Sequence, residues 1–257
     1  MKAVIKYDRP IVWSIAGYDP TGGAGVLADV KTFEQNNVLG MAFLSATTIQ
    51  KENEFLSVKW NSAEEILAQI KPVAEDYTVS VVKIGIIESL QTLFEVVSFF
   101  RSTDPTVKIV WDPILSASSG FELTEAGFSA ELKEVLTMIN LVTPNVQEAR
   151  RLSGCKDEID AAFELGKFCP VLLKGGHSSI RLGVDLLIEN NVLHEIIGDS
   201  ETSDCSPKHG SGCILSAAIA SNLALGFDLN ESCRNAKLYI EKRLMSNVNL
   251  LSYHHVT

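Results

Sequence analysis

The chain has 257 residues, 46% of them hydrophobic and 21% charged, a balance that fits a globular protein with a sizeable core. Its formal net charge is −10 and it has no lysine–arginine run, which argues against wholesale binding to nucleic acid or to an anionic membrane. A small anion held by local amides and a lysine stays compatible with that charge.

Ile11–Ala16 is apolar throughout, as a strand buried on both faces should be, and no cleavage-site pattern follows it, so it reads as a first strand and not as a signal peptide. Gly17–Gly25 then places four glycines in nine residues, a turn with open backbone. The following helix carries Val26, Val30 and Phe33 on one side and Asp29 near its start. The spacing departs from Gly-x-Gly-x-x-Gly, so a dinucleotide fold is rejected. Gly40–Gln50 is the next strand, with the polar end Thr47-Thr48-Ile49-Gln50. Then come a helix over Ser62–Glu75, a strand Ser80–Ile84 ending at Gly85, a helix Gln91–Arg101 and a strand Lys108–Trp111 ending in Asp112-Pro113. A helix over Thr124–Met138 with a threonine cap leads to the strand Ile139–Thr143, which runs into Pro144-Asn145 and a helix bearing Glu148. Val171–Lys174 is a strand, and Gly183–Ile188 with Val192–Ile197 forms a hairpin around Glu189-Asn190-Asn191. A last helix aligns Cys233, Ala236, Ile240 and Leu244.

Before that last helix lies Cys205–Gly226. Here Gly210-Ser211-Gly212 turns straight into a helix with Leu215, Ile219 and Leu223 at four-residue spacing. Free N–H groups in its first turn, beside two glycines, let an anion approach the main chain. Cys213 sits in that turn, where the helix field is expected to favour a thiolate. The stretch Gly210–Phe227 is uncharged but too short and too polar to span a membrane. Five cysteines (Cys155, Cys169, Cys205, Cys213 and Cys233), with no C-x-x-C pair, argue against a disulfide framework or zinc knuckle and point to the cytoplasm.

Alternating strands and helices predict a mainly parallel sheet with helices on both faces, joined by right-handed crossovers. No linker or composition break divides the chain, so residues 1–257 are read as one domain. The strand ends at Gly17/Asp19, Gln50, Gly85, Asp112, Thr143/Asn145 and Lys174 would share one sheet edge, where ligands of such folds bind.

Six motifs, in order, resemble the ribokinase-like family, and within it the hydroxymethylpyrimidine/phosphomethylpyrimidine kinases of thiamine synthesis. They are Gly17–Gly25 with Ala28–Phe33, Lys83-Ile84-Gly85, Asp112-Pro113, Thr143-Pro144-Asn145 with Glu148, Lys174–His177 and His209–Cys213. The resemblance implies a three-layer α/β/α sandwich, ATP and Mg²⁺ as phosphoryl-donor system, and a homodimer. It implies Gly210, Ser211, Gly212 and Cys213 as the catalytic turn, with Cys213 taking the proton of the substrate hydroxyl. Lys174, Asp112 and Thr143 are placed at ATP, and Asn145 and Glu148 at Mg²⁺ through water. Gly17, Ala24, Asp29, Thr48, Gln50, Ile86 and Ile114 are placed around the pyrimidine, with Gln50 or Asp29 hydrogen-bonding the ring.

The chain departs from the family pattern at Lys51, Ser118 and Lys208, and its final segment NVNLLSYHHVT lacks the expected glycine-rich tail. These departures bear on the ring recognised and on whether one or two phosphorylations occur. The alternative readings are a pyridoxal or pyridoxine kinase, a non-catalytic pyrimidine-binding module, and a reactive thiol sensor at Cys213.

Overall fold

The computed structural model describes residues 7–116, 123, 127–178, 181–199 and 205–255. In chain order the elements are β1 (Ile11–Tyr18), α1 (Gly25–Gln35), β2 (Leu39–Lys51), β3 (Glu54–Trp60), α2 (Ala63–Ala74), β4 (Val81–Ile84), α3 (Leu90–Thr103), β5 (Lys108–Trp111), α4 (Ala130–Thr137), β6 (Leu141–Val142), α5 (Val146–Ser153), α6 (Glu158–Gly166), β7 (Val171–Leu173), β8 (Asp185–Glu189), β9 (Val192–Ile196), α7 (Ser211–Ala224) and α8 (Leu229–Leu244).

One nine-stranded sheet runs in the order β3-β2-β1-β4-β5-β6-β7-β8-β9. β2, β1 and β4 to β7 are parallel, while β3, β8 and β9 are antiparallel to their neighbours. Successive strand residues feed opposite cores. Trp13, Val82, Ile109 and Val142 join the face covered by α2 to α6, and Val12, Val81, Val110 and Leu141 join the face covered by α1, α7 and α8. That double burial is why the parallel strands are apolar without alternation. α7 is flanked by α1 and α8 and is buried nearly all round, so its sequence is apolar on every side and not amphipathic. No described helix is long and apolar enough to cross a membrane.

The sequence pattern anticipated most of these elements to within two residues, and the structure corrects three points. The helix expected over 124–138 is Ala130–Thr137, capped by the Ser129 side chain; Thr124, its expected start, and Ser118 lie outside the described residues. β3 was not foreseen, because as an edge strand it leaves Leu56 exposed and has no clean alternation. Nor was α6, a short helix started by the Asp157 side chain, which accepts the amides of Ile159 and Asp160.

The winding direction reverses at β1, whose neighbours are β2 and β4. A crevice therefore opens beyond the carboxyl ends of β1 and β4, and the Gly17–Gly25 turn and Gly85-Ile86 sit there. Residues beyond α8 fold back across the start of α7, with the Arg243 guanidinium donating to the His254 carbonyl at 2.6 Å. Both ring nitrogens of His254 and the Ser252 hydroxyl are buried without a hydrogen-bond partner among the described residues. Burial, with Lys31 and Arg243 nearby, pushes the His254 imidazole down to about 4. The unfolded chain, with an ordinary histidine near 6.5, then binds more protons between those values, so this contribution to stability is lost as pH falls below 6.5. His254→Leu is expected to show a smaller drop in Tm between pH 7 and pH 5 than the wild type, with no loss of stability at pH 7. Equal pH slopes in thermal unfolding would remove His254 from the acid response.

Candidate active site

Two glycine turns meet at the sheet edge. In the first, the Asp19 carboxylate accepts the amides of Thr21 and Ala24 and the Thr21 hydroxyl, each at 2.9 Å. It also meets His209 Nε2, from the second turn, at 2.9 Å. Burial raises Asp19, but these hydrogen bonds, His209 foremost, hold it below the usual carboxylate range. Gly210 caps α7 in the left-handed region, with φ of 74°. A Cβ there would lie 2.1 Å from the Gly23 carbonyl oxygen and 2.8 Å from Ala24 Cα. Gly25, with φ of 59°, is equally constrained, since its Cβ would lie 2.1 Å from the Gly17 carbonyl oxygen. Only glycine permits either approach.

No side chain caps the start of α7 among the described residues. The leading amides of a 14-residue helix therefore stay available to an anion. Lys174 stands beside this turn, because a Cβ on Gly212 would come within 3.3 Å of its Nζ. That ammonium donates to Asp112 at 2.7 Å and lies 3.7 Å from Glu148. Asp112 is fully buried and also accepts from the Ser216 hydroxyl at 3.1 Å and the Thr143 hydroxyl at 3.2 Å. Burial raises Asp112, yet Lys174 and Lys83, with the bonds from Lys174 and Ser216, keep it below the usual range. Asn145 and Glu148 form a reciprocal capping box: Asn145 Oδ1 accepts the Glu148 amide at 2.9 Å and Glu148 Oε2 accepts the Asn145 amide at 2.7 Å. Burial raises the Glu148 carboxyl, with Lys174 opposing.

Around the crevice, Gly17, Thr48 and Ile86 come together. A Cβ on Gly17 would meet Ile86 Cδ1 at 2.4 Å and Thr48 Cγ2 at 3.7 Å. Ile86 is half-buried, as are Ala24, Ile114 and Gln50, the last at a bulge of β2 opposite Phe55. Two residues expected at ligands have partners within the protein. Asp29, expected to bond the ring, is fully buried and ion-paired with Lys83 at 2.9 Å, while its second neighbour, Ser14, donates at 2.6 Å. Thr143, expected at ATP, is fully buried and orients Asp112. The expected thiolate at Cys213 is also corrected. The thiol is buried, and burial pushes it up to about 11, although Lys83 and the Gly25 amide draw it down. Desolvation of the anion outweighs the helix field here.

With that geometry in place, comparison with known proteins is decisive. The family model for phosphomethylpyrimidine kinase matches residues 19–257. The hydroxymethylpyrimidine/phosphomethylpyrimidine kinase of Rhizobium meliloti (strain 1021) is 35% identical over 240 residues, covering 90% of this chain and 88% of the relative. The chain belongs to the phosphomethylpyrimidine kinase family. The crystal structure of phosphomethylpyrimidine kinase from Clostridium difficile 630 superposes with a TM-score of 0.73 at 31% identity, covering 90% of this chain and 98% of that one. An ADP complex of Bacillus subtilis pyridoxal kinase superposes with a TM-score of 0.77 at 26% identity, covering 93% and 92%. The ribokinase-like three-layer architecture expected from the motifs is thus the one this family member has.

Sequence reasoning missed the residues that support the family's motifs. Lys83 is fully buried and neutralises Asp29 of α1 beside the paired strands β1 and β4. Asp185 accepts the Gly175 amide at 2.7 Å and pairs with Lys237 at 3.1 Å, fixing the turn after Lys174. A charged residue inside an otherwise apolar strand, such as Lys83 in VVKIG, was the available signal. Lys83→Met, which strands the Asp29 charge, is expected to cost about 3–5 kcal/mol in urea unfolding, whereas adding Asp29→Leu should recover more than half of that loss. A double variant no more stable than the single one would show that the pair is not what balances the site.

Proposed function

We propose that this family member transfers the γ-phosphoryl group of ATP to the hydroxymethyl oxygen of 4-amino-5-hydroxymethyl-2-methylpyrimidine, and then to the phosphate of the product, in thiamine biosynthesis. The observation that carries this reading is the uncapped turn Gly210-Ser211-Gly212, set between the Lys174–Asp112 pair and Cys213. Donors aimed where a phosphoryl group travels, beside one group able to accept a proton, are what such a transfer requires. Relatives named for this activity support the substrate. Complexes of related kinases with ADP support the donor.

In the first step the alcohol oxygen forms a bond to the γ-phosphorus, the bond from that phosphorus to the β–γ bridging oxygen breaks, and the alcohol proton passes to Cys213 Sγ in its minor thiolate form, the thiol having first released its own proton to water. The amides of residues 210–213 hold the equatorial oxygens, and Lys174 holds the donor phosphates in register. Asp112, gripped by Lys174, Ser216 and Thr143, fixes the ammonium at the ATP site. Asn145 and Glu148 offer hard oxygens of the kind Mg²⁺ prefers, and that ion keeps several of its waters when bound. Such an ion, when bound, would supply charge neutralisation at the phosphates. Gly17, Ala24, Thr48, Gln50, Ile86 and Ile114 line the ring site, with Gln50 reading the ring's polar edge in place of the sequestered Asp29.

A second reading, pyridoxal kinase, is favoured by the likeness to the Bacillus subtilis enzyme, whose substrate ring also bears a hydroxymethyl group. The buried, weakly acidic Cys213 thiol weighs against a reactive thiol sensor, and the intact anion turn weighs against a purely binding module. We also read the chain as one kinase domain, working as a homodimer in the cytoplasm.

ATP turnover against a panel of pyrimidine and pyridine alcohols, with product mass counting phosphates, decides between the two rings. Preferential turnover of the pyridines would reject the pyrimidine reading. Cys213→Ala is expected to lower kcat by about 100-fold or more while calorimetry still detects pyrimidine binding. An unchanged kcat would remove the thiol from the mechanism.

A further inference from the structure

Two departures from the family pattern, Lys208 and the final segment, prove to be partners in space. Lys208 is buried, and its ammonium donates to the carbonyls of Asn247 and, at 2.6 Å, Asn249, with Asn247 Oδ1 at 3.4 Å. The segment is organised to present those carbonyls. Asn247 Oδ1 accepts the Asn249 amide at 2.8 Å, and Asn247 Nδ2 donates to the Leu251 carbonyl at 3.0 Å. The next residue after Lys208 continues the attachment, since the His209 amide donates to the Leu250 carbonyl at 2.9 Å. The Leu251 side chain then reaches the junction of the two glycine turns. A Cβ on Gly23 would lie 2.7 Å from Leu251 Cδ2 and 2.8 Å from His209 Cδ2. On its outer side the segment faces the β2–β3 hairpin across a cleft of about 490 Å³ lined by Glu52, Asn247, Leu251 and Tyr253.

Lys208 lies two residues before Gly210, the residue wedged against Gly23 and Ala24. A lysine is an expensive residue to bury, and here its three N–H donors face oxygens of one short segment. Its placement is hard to ascribe to charge balance, because among the described residues its Nζ donates to carbonyl and amide oxygens and not to carboxylates. What the arrangement does accomplish is mechanical. It ties residues 247–251 to the anion turn and seats Leu251 against Gly23, whose carbonyl Gly210 touches.

We propose that Lys208 is a positioning residue for phosphoryl transfer, and that the segment Asn247–Leu251 which it grips is a buttress holding the two glycine turns in register. The inference rests on the kinase reading above for its catalytic consequence, and on the structure alone for the mechanical one. The buttress acts on the transition-state geometry more than on substrate capture, since neither Lys208 nor Leu251 is among the residues assigned to the ring or the phosphates.

The test uses the full chain with Lys208→Met, which keeps most of the apolar stem and removes the donors, and Lys208→Arg, which restores donors to the carbonyls. In Lys208→Met, hydrogen exchange at the His209 amide is expected to quicken about tenfold, and kcat to fall about tenfold with the pyrimidine KM changed less than threefold. Lys208→Arg should recover most of both. Loss of thermal stability with kcat and His209 exchange unchanged would overturn the proposal and leave Lys208 a purely structural residue. Should Lys208→Met fail to fold, Leu251→Ala supplies the same two readouts, and unchanged kcat and exchange there would overturn it equally. If the wild type phosphorylates no pyrimidine or pyridine alcohol, the kinase reading falls, and the exchange data still decide whether Lys208 holds the turn.

Discussion

The site depends on one steric constraint: the two glycine turns must touch backbone to backbone. Gly210 leaves no room for a Cβ against the Gly23 carbonyl and Ala24, and Gly25 leaves none against Gly17. α1 and α7 grow out of these turns and pack side by side on the same face of the sheet, so helix packing fixes the distance at which the turns meet. Asp19 then stitches the contact, drawing its own loop together through Thr21 and Ala24 and reaching across to His209. The leading amides of α7 are thereby held beside the crevice at the β1 reversal, with no side chain of a described residue capping them.

Charge is managed by a second rule: three lysines largely removed from solvent each face a carboxylate from a different element, while the buried Lys208 faces carbonyls instead. Lys83 on β4 pairs with Asp29 on α1, Lys174 after β7 with Asp112 after β5, and Lys237 on α8 with Asp185 on β8. Such pairs add little net stability, because desolvation offsets attraction, but a pair broken on one side is strongly unfavourable. They therefore penalise any arrangement in which the elements shift relative to one another. In a fold whose chemistry needs donors placed within a fraction of an ångström, that penalty serves geometry more than stability.

The fold was legible because its signal is redundant. Apolar runs ending in glycine or a polar residue, repeated between amphipathic stretches, leave few topologies open. Which residues carry a motif was legible too; what each side chain does within it was less so. Asp29 and Asp112 look alike in sequence, each an acid near a strand or helix end, but one is sealed with Lys83 between α1 and the sheet and the other is held beside Lys174 at the anion turn. Burial of a side chain depends on partners distant in sequence, 54 residues away for Asp29 and 62 for Asp112. Asn145 and Glu148 were read from the resemblance as metal-holding residues, and their three-residue spacing also spells a capping box that fixes both side chains locally. Lys208 read as an isolated oddity, because the carbonyls that explain it lie about forty residues further along the chain.

The acidity of Cys213 bears most directly on how the proposed transfer runs. A thiol pushed up to about 11 is almost wholly protonated near neutrality, so it is a poor base for removing an alcohol proton before attack. In a loose transition state the bond to the leaving oxygen is largely broken before the new bond forms, and the attacking alcohol becomes acidic only late. Early deprotonation then gains little, and a strongly stabilised thiolate would place a negative charge beside an already anionic phosphoryl group. Burial of Cys213 avoids that repulsion, while Lys83 and the Gly25 amide remain close enough to ease the thiol's ionisation when a proton must move. The same buried Lys83 that neutralises Asp29 thus also bears on the thiol. The electrostatics of the Gly17–Gly25 turn and of the start of α7 form one system, for the same reason that their backbones must touch.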